Sequence, residues 1–559
     1  MPLKHFILTL FSILTPKEKV KMYLYAVLDS VIGLLDIAFL GGLLLVVNFY
    51  ASGKLPGNYT ALQSFSNKNS LLLISVFLIL FGLKNWLGYL LSKKEYGFFY
   101  SVASRLSKRN VLRYLKGDYA QFVNTDSSVY FRKISQQPIE FSNYILTNVQ
   151  LIISQSILIL FTITAILFYH PGLFLSLFLL LLPPVVLLGW LIKKKLKNVR
   201  ASIKINSQLT IQHLQESLSG YVESNIYDKD LFFTDRYYHH QQQMNDNIAT
   251  QQTLQSLPSR LIETFAVFGF FILIAVNKWS ANIPAINLLT IGVFMAAAYK
   301  IIPGIIKILN SAGQIKTYQF TLNDLSSAAD QIPPVKEPQI SAPIHSLQFE
   351  NVHFKYQHHV VLNGLTFSMA PGDFAGMSAP SGKGKTTIIN ILLGFLEPDN
   401  GAVFINDQAT SAAGRMLYRQ RISYVKQQPF LIHDSILKNI TLDDDQCDRN
   451  KLDDVISFCG LTPLLEKYPE GLEKVIRENG KNISGGQRQR IMLARALYHD
   501  FDLLILDEPF GEMDDLSERI ILTQLQSLAQ QGKMILFITH NKASLSFCNK
   551  IFSMDEAYA

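Results

Sequence analysis

Charged residues are scarce in this sequence. Asp, Glu, Lys and Arg make up 17% of its 559 residues, against about 25% in a typical soluble protein, and the mean hydropathy is +0.19. A disordered chain is excluded, because it needs low hydrophobicity and high charge, and an ordinary soluble enzyme of this size is disfavoured. The net charge is +8, which suits a membrane protein lying beside anionic lipid. No nucleic-acid motif accompanies this basic excess, so we expect no nucleic-acid partner.

Cysteine is also rare. The sequence has three cysteines, Cys447, Cys459 and Cys548. No two of them have the spacing of metal ligands, and three are too few for a disulfide framework. We therefore expect free thiols in a reducing cytosol.

Long apolar stretches, in contrast, are abundant in the first 310 residues. A helix needs about 20 residues to cross the roughly 30 Å hydrocarbon core of a bilayer, and six stretches satisfy this requirement approximately. They lie at 23–49, 71–91, 144–168, 173–192, 261–276 and 286–309. The sequence thus predicts an all-α transmembrane domain of six helices within residues 1–329.

Lysine and arginine set the predicted orientation of these spans. They cluster before the first span and after the second and fourth, whereas the opposite loops hold only Lys54, Lys68 and Lys278. By the positive-inside rule, both termini lie in the cytoplasm of a multi-pass protein. Two long cytoplasmic connections, at about 92–142 and 193–260, contain few Gly or Pro and are predicted to continue as helices.

Several ionisable residues fall within or near the spans. Five are candidates for a substrate pathway: Asp36, Lys84, Glu263, Lys300 and Lys307. A charge inside a membrane is costly and often faces a polar pathway. The alternative is that these side chains snorkel from helix ends or pair with each other for structure, and the sequence leaves both interpretations open.

A proline-rich segment follows the last span. Residues 330–345 contain four prolines between polar residues, which is typical of an extended linker. From residue 346 to 559, short β-branched runs alternate with helical ones, as in a soluble α/β domain.

This second domain carries a phosphate-binding loop. Residues 379–386 read Ala-Pro-Ser-Gly-Lys-Gly-Lys-Thr, close to the pattern whose backbone N–H groups cradle phosphates, whose Lys reaches the β- and γ-phosphates and whose hydroxyl binds Mg²⁺. Ala379 replaces the usual first glycine. The predicted ATP-binding residues of this loop are Ala379, Pro380, Ser381, Gly382, Lys383, Gly384, Lys385, Thr386 and Thr387.

An apolar strand at 503–506 leads to a pair of carboxylates. Asp507 is a candidate for holding Mg²⁺ through water. Glu508 is a candidate for polarising the attacking water.

Residues 483–490, Ile-Ser-Gly-Gly-Gln-Arg-Gln-Arg, resemble the signature motif of ATP-binding cassette (ABC) proteins. Other motifs of that family follow the same order along the chain. They are the adenine-stacking aromatic residue at Tyr356, the Q-loop at Gln427, the D-loop ending at Asp514 and the switch histidine at His540. The D-loop reads Gly-Glu-Met-Asp, where exporters more often have Ser-Ala-Leu-Asp.

The resemblance implies an exporter-type half transporter, in which a six-helix transmembrane domain precedes an α/β P-loop NTPase cassette. Its cofactors would be ATP and Mg²⁺, with the metal near Thr386, Gln427 and Asp507. Catalysis would use Glu508, His540 and Gln427. The signature residues Ser484, Gly485, Gly486 and Gln487 would contact ATP bound to a second half transporter, most simply a second copy.

The resulting expectation is ATP-driven export or flipping across the bacterial cytoplasmic membrane by alternating access. Lipid, lipid-linked oligosaccharide, peptide and drug cargoes stay open, as does a heterodimer. The rival function is a membrane-bound ABC ATPase that senses or regulates without transport. Ala379 and the unusual D-loop would suit such weakened hydrolysis.

Overall fold

A computed structural model describes most of the chain. It covers residues 3–52, 70–117, 119–169, 202–279, 288–326, 342–378, 383–443, 447–477 and 480–553, with six single positions between 170 and 201. The described residues form two compact units. The first contains residues 1–117 and 122–333, and the second contains residues 118–121 and 334–559.

The first unit is helical. Its helices are α1 (Leu3–Ile13), α2 (Pro16–Ser52), α3 (Ser70–Leu115), α5 (Ser127–Phe131), α6 (Gln137–Glu140), α7 (Thr147–Tyr169), α8 (202–219), α9 (Tyr221–Ile226), α10 (Asp230–Trp279) and α11 (Leu288–Ser326), and α4 (Tyr119–Val123) bridges the boundary between the units in sequence. Wider π-helical turns at Arg132–Gln136 and Phe141–Leu146 join α5, α6 and α7.

Three helical segments among the described residues are long and apolar enough to cross a membrane. They are Pro16–Leu43, Ile74–Leu115 and Ser127–Phe168, and they contain most of the first three predicted spans. Helices α10 and α11 continue through the predicted fifth span and from Leu288 through the rest of the sixth. The fourth span, at 173–192, lies outside the described residues except for isolated positions, and so does most of the 330–345 linker.

The best-packed part of the first unit lies mainly at the ends of the predicted spans and beyond them. Fourteen buried apolar residues from α1, α2, α3, α11 and the π-helical turn before α7 form one cluster. Tyr144 stacks on Tyr318 with ring centroids 3.8 Å apart. Arg105 donates two hydrogen bonds to the Glu18 carboxylate, at 2.7 and 2.8 Å. The helices therefore continue as a packed bundle beyond the predicted spans, as expected from the long connections.

The second unit mixes strands and helices. Its strands are β1 (Leu347–Tyr356), β2 (His359–Met369), β3 (Phe374–Ser378), β4 (Asn400–Ile405), β5 (Gln408–Ala409), β6 (Ile422–Val425), β7 (Leu503–Asp507), β8 (Met534–Thr539) and β9 (Lys550–Ser553). Its helices are α12 (Lys385–Leu392), α13 (Ala412–Met416), α14 (Ile436–Thr441), α15 (Arg449–Phe458), α16 (Thr462–Lys467), α17 (Gly485–Tyr498) and α18 (Asp515–Gln530).

Two sheets organise the second unit. One is antiparallel, in the order β2-β1-β4-β5, and the other is parallel, in the order β6-β7-β8-β3-β9. Strands β7 and β8 are buried at every position, which explains their uninterrupted apolar sequences. In such a sheet, ligands bind at the carboxyl ends of the strands.

A short piece of the first long connection also belongs to the second unit. The Tyr119 hydroxyl accepts a hydrogen bond from the Asn390 side chain at 3.0 Å, and the Tyr119 ring lies 4.9 Å from that of Phe395. Tyr119 is thereby held beside the end of α12.

Candidate functional site

The predicted catalytic residues meet at the carboxyl edge of the parallel sheet. Strand β6 leads to Gln427, β7 leads to Asp507 and Glu508, β8 leads to His540, and β3 leads to the predicted phosphate-binding loop. Because β6, β7, β8 and β3 are successive neighbours in the sheet, these residues line one continuous edge. The sequence motifs are far apart along the chain, and the sheet brings them together.

The phosphate-binding loop enters α12 through a glycine with a left-handed backbone. Gly384 has φ +82°, and a Cβ at this position would lie 2.9 Å from a Val361 methyl carbon. Both observations favour glycine here. Ala379, Pro380, Ser381 and Gly382 lie outside the described residues. Lys383 is the first described residue of the loop, and it is partly exposed.

Glu508 is the centre of a polar cluster. Its carboxylate accepts a hydrogen bond from Lys385 Nζ in a largely buried ion pair. Gln427 Nε2 donates to Glu508 Oε2 at 2.8 Å, and His540 Nδ1 lies 3.6 Å from Oε1. These contacts hold one carboxylate between Lys385, the lysine predicted to bind phosphate, and the predicted catalytic residues Gln427 and His540.

The surroundings of Glu508 keep it ionised. Burial raises the pKa of Glu508, but the hydrogen bond and charge of Lys385, together with His540, outweigh burial and place the pKa below its usual value. The residue also has φ +47°, a strained conformation that is found disproportionately at functional sites. A charged carboxylate in this position can polarise a water molecule.

Asp507 has a different environment from its neighbour. It is only 6% exposed, and burial raises its pKa above the usual value, although Lys385 opposes the shift. The Tyr424 hydroxyl donates to Asp507 Oδ2 at 3.4 Å. The sequence analysis did not identify Tyr424; its position on β6, the strand adjacent to β7, is the signal that places it there.

A cavity of about 640 Å³ adjoins this cluster. Lys385, Glu508 and other residues of the sheet edge form one side, and Tyr356 stands with His359 on the other. Tyr356 is 47% exposed, so its ring is available to a planar ligand. His359 was not predicted, although its place two residues before Val361 on the strand facing Gly384 brings it into the same cavity.

The side chains available for a metal are oxygen donors. Thr386 is exposed in the cavity lining, Asp507 offers a carboxylate, and Gln427 donates through its NH₂ group to Glu508, which leaves its carbonyl oxygen for another partner. This donor set suits Mg²⁺. Among the described residues, no group of three or more His, Cys, Asp or Glu side chains could hold a metal. Thr387 also lines the cavity and is largely buried.

The predicted signature residues begin α17. Ser484 caps this helix: its Oγ accepts from the Gln487 backbone N–H at 3.4 Å, and Gln487 Oε1 accepts from the Ser484 N–H at 2.9 Å. The capping box fixes the first turn, in which Gly485 and Gly486 lack side chains. A helix start of this kind attracts an anion.

The D-loop lies against the same turn. Asp514 caps α18 and accepts two hydrogen bonds from Ser517, at 2.9 and 2.7 Å, and these bonds lower the pKa of Asp514. The Glu512 carboxylate accepts from Arg488 of α17 at 3.0 Å. Glu512 was noted in the sequence only as a departure from the usual motif, and its contact with the signature helix was not predicted.

The membrane charges divide into three cases. Lys84 is 7% exposed and forms an ion pair with Asp36, which favours the structural interpretation for these two residues. Lys307 is exposed on α11. The side chains of Glu263 and Lys300 lie outside the described part of the structure, so their pathway role stays a prediction.

Comparison with known proteins identifies related families. Residues 362–511 match a family model described as ABC transporter. The chain is 24% identical to the ATP-dependent lipid A-core flippase of Bordetella avium, over 73% of this chain and 70% of that protein. It is 33% identical to the protein of the same name from Saccharophagus degradans, over 40% of this chain. The chain spans only 38% of the Saccharophagus protein and 63% of a Burkholderia pseudomallei relative that bears the same name.

A solved structure shares the fold. It is titled "Structure of a bacterial Atm1-family ABC exporter with ATP bound", and it matches with a TM-score of 0.75 and 19% sequence identity. The match covers 97% of this chain and 94% of that chain. The likeness extends over both the helical unit and the α/β unit, so the fold is that of an ABC exporter.

Proposed function

We propose that this chain, which has the fold of an ABC exporter, is an ABC transporter that moves a lipid or lipid-linked molecule across the bacterial cytoplasmic membrane. ATP hydrolysis coupled to transport is the activity of its ATPase domain. The observation that carries the proposal is the Glu508 cluster at the carboxyl edge of the sheet. It joins the phosphate-binding lysine, the Q-loop glutamine and the switch histidine around one ionised carboxylate.

Each residue of the cavity has a proposed role in ATP binding. Tyr356 would stack on adenine, Lys385 would bind the β- and γ-phosphates, and Thr386 with Asp507 and Gln427 would hold Mg²⁺. The metal would neutralise phosphate charge during hydrolysis. For 379–382, the phosphate-cradling role follows from the sequence alone.

Lys385 must change partners in this mechanism. It is bound to Glu508, and the triphosphate competes for the same ammonium group because phosphate oxygens are strong charge-assisted acceptors. Transfer of Lys385 to phosphate frees the Glu508 carboxylate to accept a hydrogen bond from water and polarise it, while His540 stays beside it. Gln427 and His540 stay within reach of both the carboxylate and the phosphate region.

A second half transporter completes the site, and we propose that it is a second copy of this chain. Ser484, Gly485, Gly486 and Gln487 would approach the γ-phosphate of ATP held by the partner. Helix α9, near the middle of the second long connection, supports a partner because its apolar side chains are exposed: Tyr221 is 71% exposed and Ile226 70%. Such a surface is unusual for a monomer in water.

The membrane placement is also part of the proposal. The domain limits are 1–329 for the transmembrane domain, 330–345 for the linker and 346–559 for the ATPase domain, and both termini lie in the cytoplasm. Lipids surround the helices. The exposed apolar residues of α2 and α3, such as Val31 and Ile79, suit a lipid-facing surface.

The relatives named as lipid A-core flippases favour a lipid cargo over a peptide. The substrate pathway would use charges that remain available within the bundle. Lys84 and Asp36 neutralise each other, so the exposed Lys307 is the better candidate for contacts with cargo. For Lys300 and Glu263, the pathway role follows from the sequence alone.

The proposal is tested by Glu508→Gln in proteoliposomes that contain a fluorescent lipid-linked cargo. We expect the variant to bind ATP but to lose nearly all turnover and cargo movement, because the amide keeps the shape of Glu508 without its charge. Glu466→Gln, an exposed site on α16, is the matched control. Near-normal turnover in Glu508→Gln would remove Glu508 from its role. Normal ATPase activity with no movement of any cargo would instead favour a regulator.

A further inference from the structure

The D-loop of this chain contains a carboxylate that lies on its own signature motif. Glu512 stands where the related motif more often has alanine. A Cβ added to Gly485 would overlap the Glu512 carboxylate, so this side chain fills the space beside the first signature glycine. Its carboxylate accepts a hydrogen bond from Arg488 at 3.0 Å.

The backbone holds Glu512 in this position. Its N–H donates to the Gln489 side chain at 3.0 Å, and Gln489 is 5% exposed. A Cβ on Gly486 would lie 2.9 Å from the Glu512 carbonyl oxygen. The D-loop and the first turn of α17 are therefore in close contact, and the carboxylate cannot leave Gly485 by a backbone shift without breaking these contacts.

We propose that Glu512 is an internal competitor for the phosphate-binding end of the signature helix, and that its carboxylate must be displaced when the partner's ATP arrives. The inference rests on the proposed function, because the phosphate comes from a second copy. The start of α17 favours one anion. A carboxylate and a γ-phosphate at the same turn repel each other, and this repulsion is strong in a closing interface that excludes water.

The contacts of Glu512 allow such an exchange. The side chains of Glu512 and Arg488 are 48% and 30% exposed, and ion pairs of this exposure are weak. Rotation of the Glu512 side chain toward solvent leaves Arg488 beside the signature turn, where it faces the incoming phosphate. Glu512 is therefore a positioning residue: it sets the ATP concentration at which two copies close.

The consequence is measurable as a shift in ATP dependence. Glu512→Gln keeps the shape and removes the charge, and we expect the half-saturating ATP concentration for closure to fall about tenfold, a typical coupling between sites. Glu512→Ala should act in the same direction. The effect should shrink as salt rises from about 0.05 M to about 0.5 M, because salt screens partly exposed charges.

The experiment uses the full-length chain in nanodiscs with Glu508→Gln as background, so that ATP is bound without turnover. Spin labels are attached at Cys447, the exposed thiol. Cys459 is buried, and burial raises the pKa of Cys548 to about 12, so neither competes for the label at neutral pH. The distance between the two labels is followed as ATP is added, with Glu466→Gln as the matched control.

The outcomes distinguish a failure of the Glu512 inference from a failure of the proposed function. Closure at lower ATP in both Glu512 variants, with a salt-sensitive difference, supports the competitor role. Unchanged half-saturation in folded Glu512→Gln and Glu512→Ala, or a shift that salt leaves intact, overturns it. If the Glu508→Gln background itself fails to close with ATP, the proposed two-copy ATP site is wrong, and the inference falls with it.

Discussion

Replacement of Arg415 by methionine should strongly destabilise the ATPase domain. Arg415 has no exposed surface. Its guanidinium donates to the carbonyl oxygens of Ile391 at 2.7 Å and Leu396 at 3.0 Å, to that of Thr410, and to the Glu397 carboxylate at 3.1 Å. Ile391 belongs to the last turn of α12, the helix that begins in the phosphate-binding loop. The arginine thus satisfies carbonyl groups where this helix ends.

The magnitude follows from the groups that would be left behind. Methionine fills part of the volume but offers no donor, so three backbone carbonyls lose a charged partner. A buried polar group left unpaired costs about 1–3 kcal/mol. The Glu397 carboxylate is 54% exposed and can be hydrated, so the cost comes mainly from the backbone carbonyls. We expect about 4 kcal/mol in the free energy of unfolding. For a domain of about 200 residues, this lowers Tm by about 8–16 °C.

The assay is differential scanning calorimetry of the full-length protein in detergent, in which the transition of the ATPase domain is recognised by its shift with added nucleotide. Arg519→Met is the matched control, because Arg519 is exposed on α18. Arg415→Lys should recover only part of the loss, since an ammonium group cannot reproduce the planar fork of donors. A Tm decrease of less than about 2 °C for Arg415→Met would show that the carbonyls find other partners, and would refute the reasoning.

Two further predictions concern the nucleotide site and the membrane ion pair. Gly384→Ala should weaken binding of a fluorescent ATP analogue by at least about tenfold, because a left-handed alanine costs roughly 1–2 kcal/mol before its clash with β2 is counted; unchanged affinity would contradict this. Lys84→Met should lower the melting temperature because it removes the ammonium partner of the Asp36 carboxylate, a loss of about 3–5 kcal/mol for a buried ion pair, and Lys84→Met with Asp36→Asn should recover most of it. If the double variant is stable but moves no cargo, the pair also belongs to the pathway.

Much of the nucleotide site could be predicted from sequence because its chemistry sits at the ends of strands. A buried parallel strand is recognisable as a short apolar run, and the residue that follows it faces the ligand edge of the sheet. Asp507, Glu508 and His540 each follow such a run directly. Their meeting at one site could be predicted without knowing the strand order, since every parallel strand delivers its last residue to the same edge.

The partners of the membrane charges could not be predicted in the same way. Asp36 and Lys84 are 48 positions apart on two helices, and their pairing depends on how α2 and α3 rotate and slide against each other. A heptad spacing shows which charges share one helix face, but it does not show which residues of a neighbouring helix lie against that face. The π-helical turns before α7 pose the same difficulty, because each changes the rotation of every residue after it.

Glu512 shows a further limit of motif reasoning. A motif specifies which residue types contact the nucleotide, and Gly485 and Gly486 satisfy it fully. It does not specify what occupies the space that a missing side chain leaves, and in this chain a carboxylate from the next loop lies there. The same glycine that admits a phosphate also admits a competing anion. Two cassettes with identical signature residues can therefore need different ATP concentrations to close, and a substitution one loop away would cause the difference.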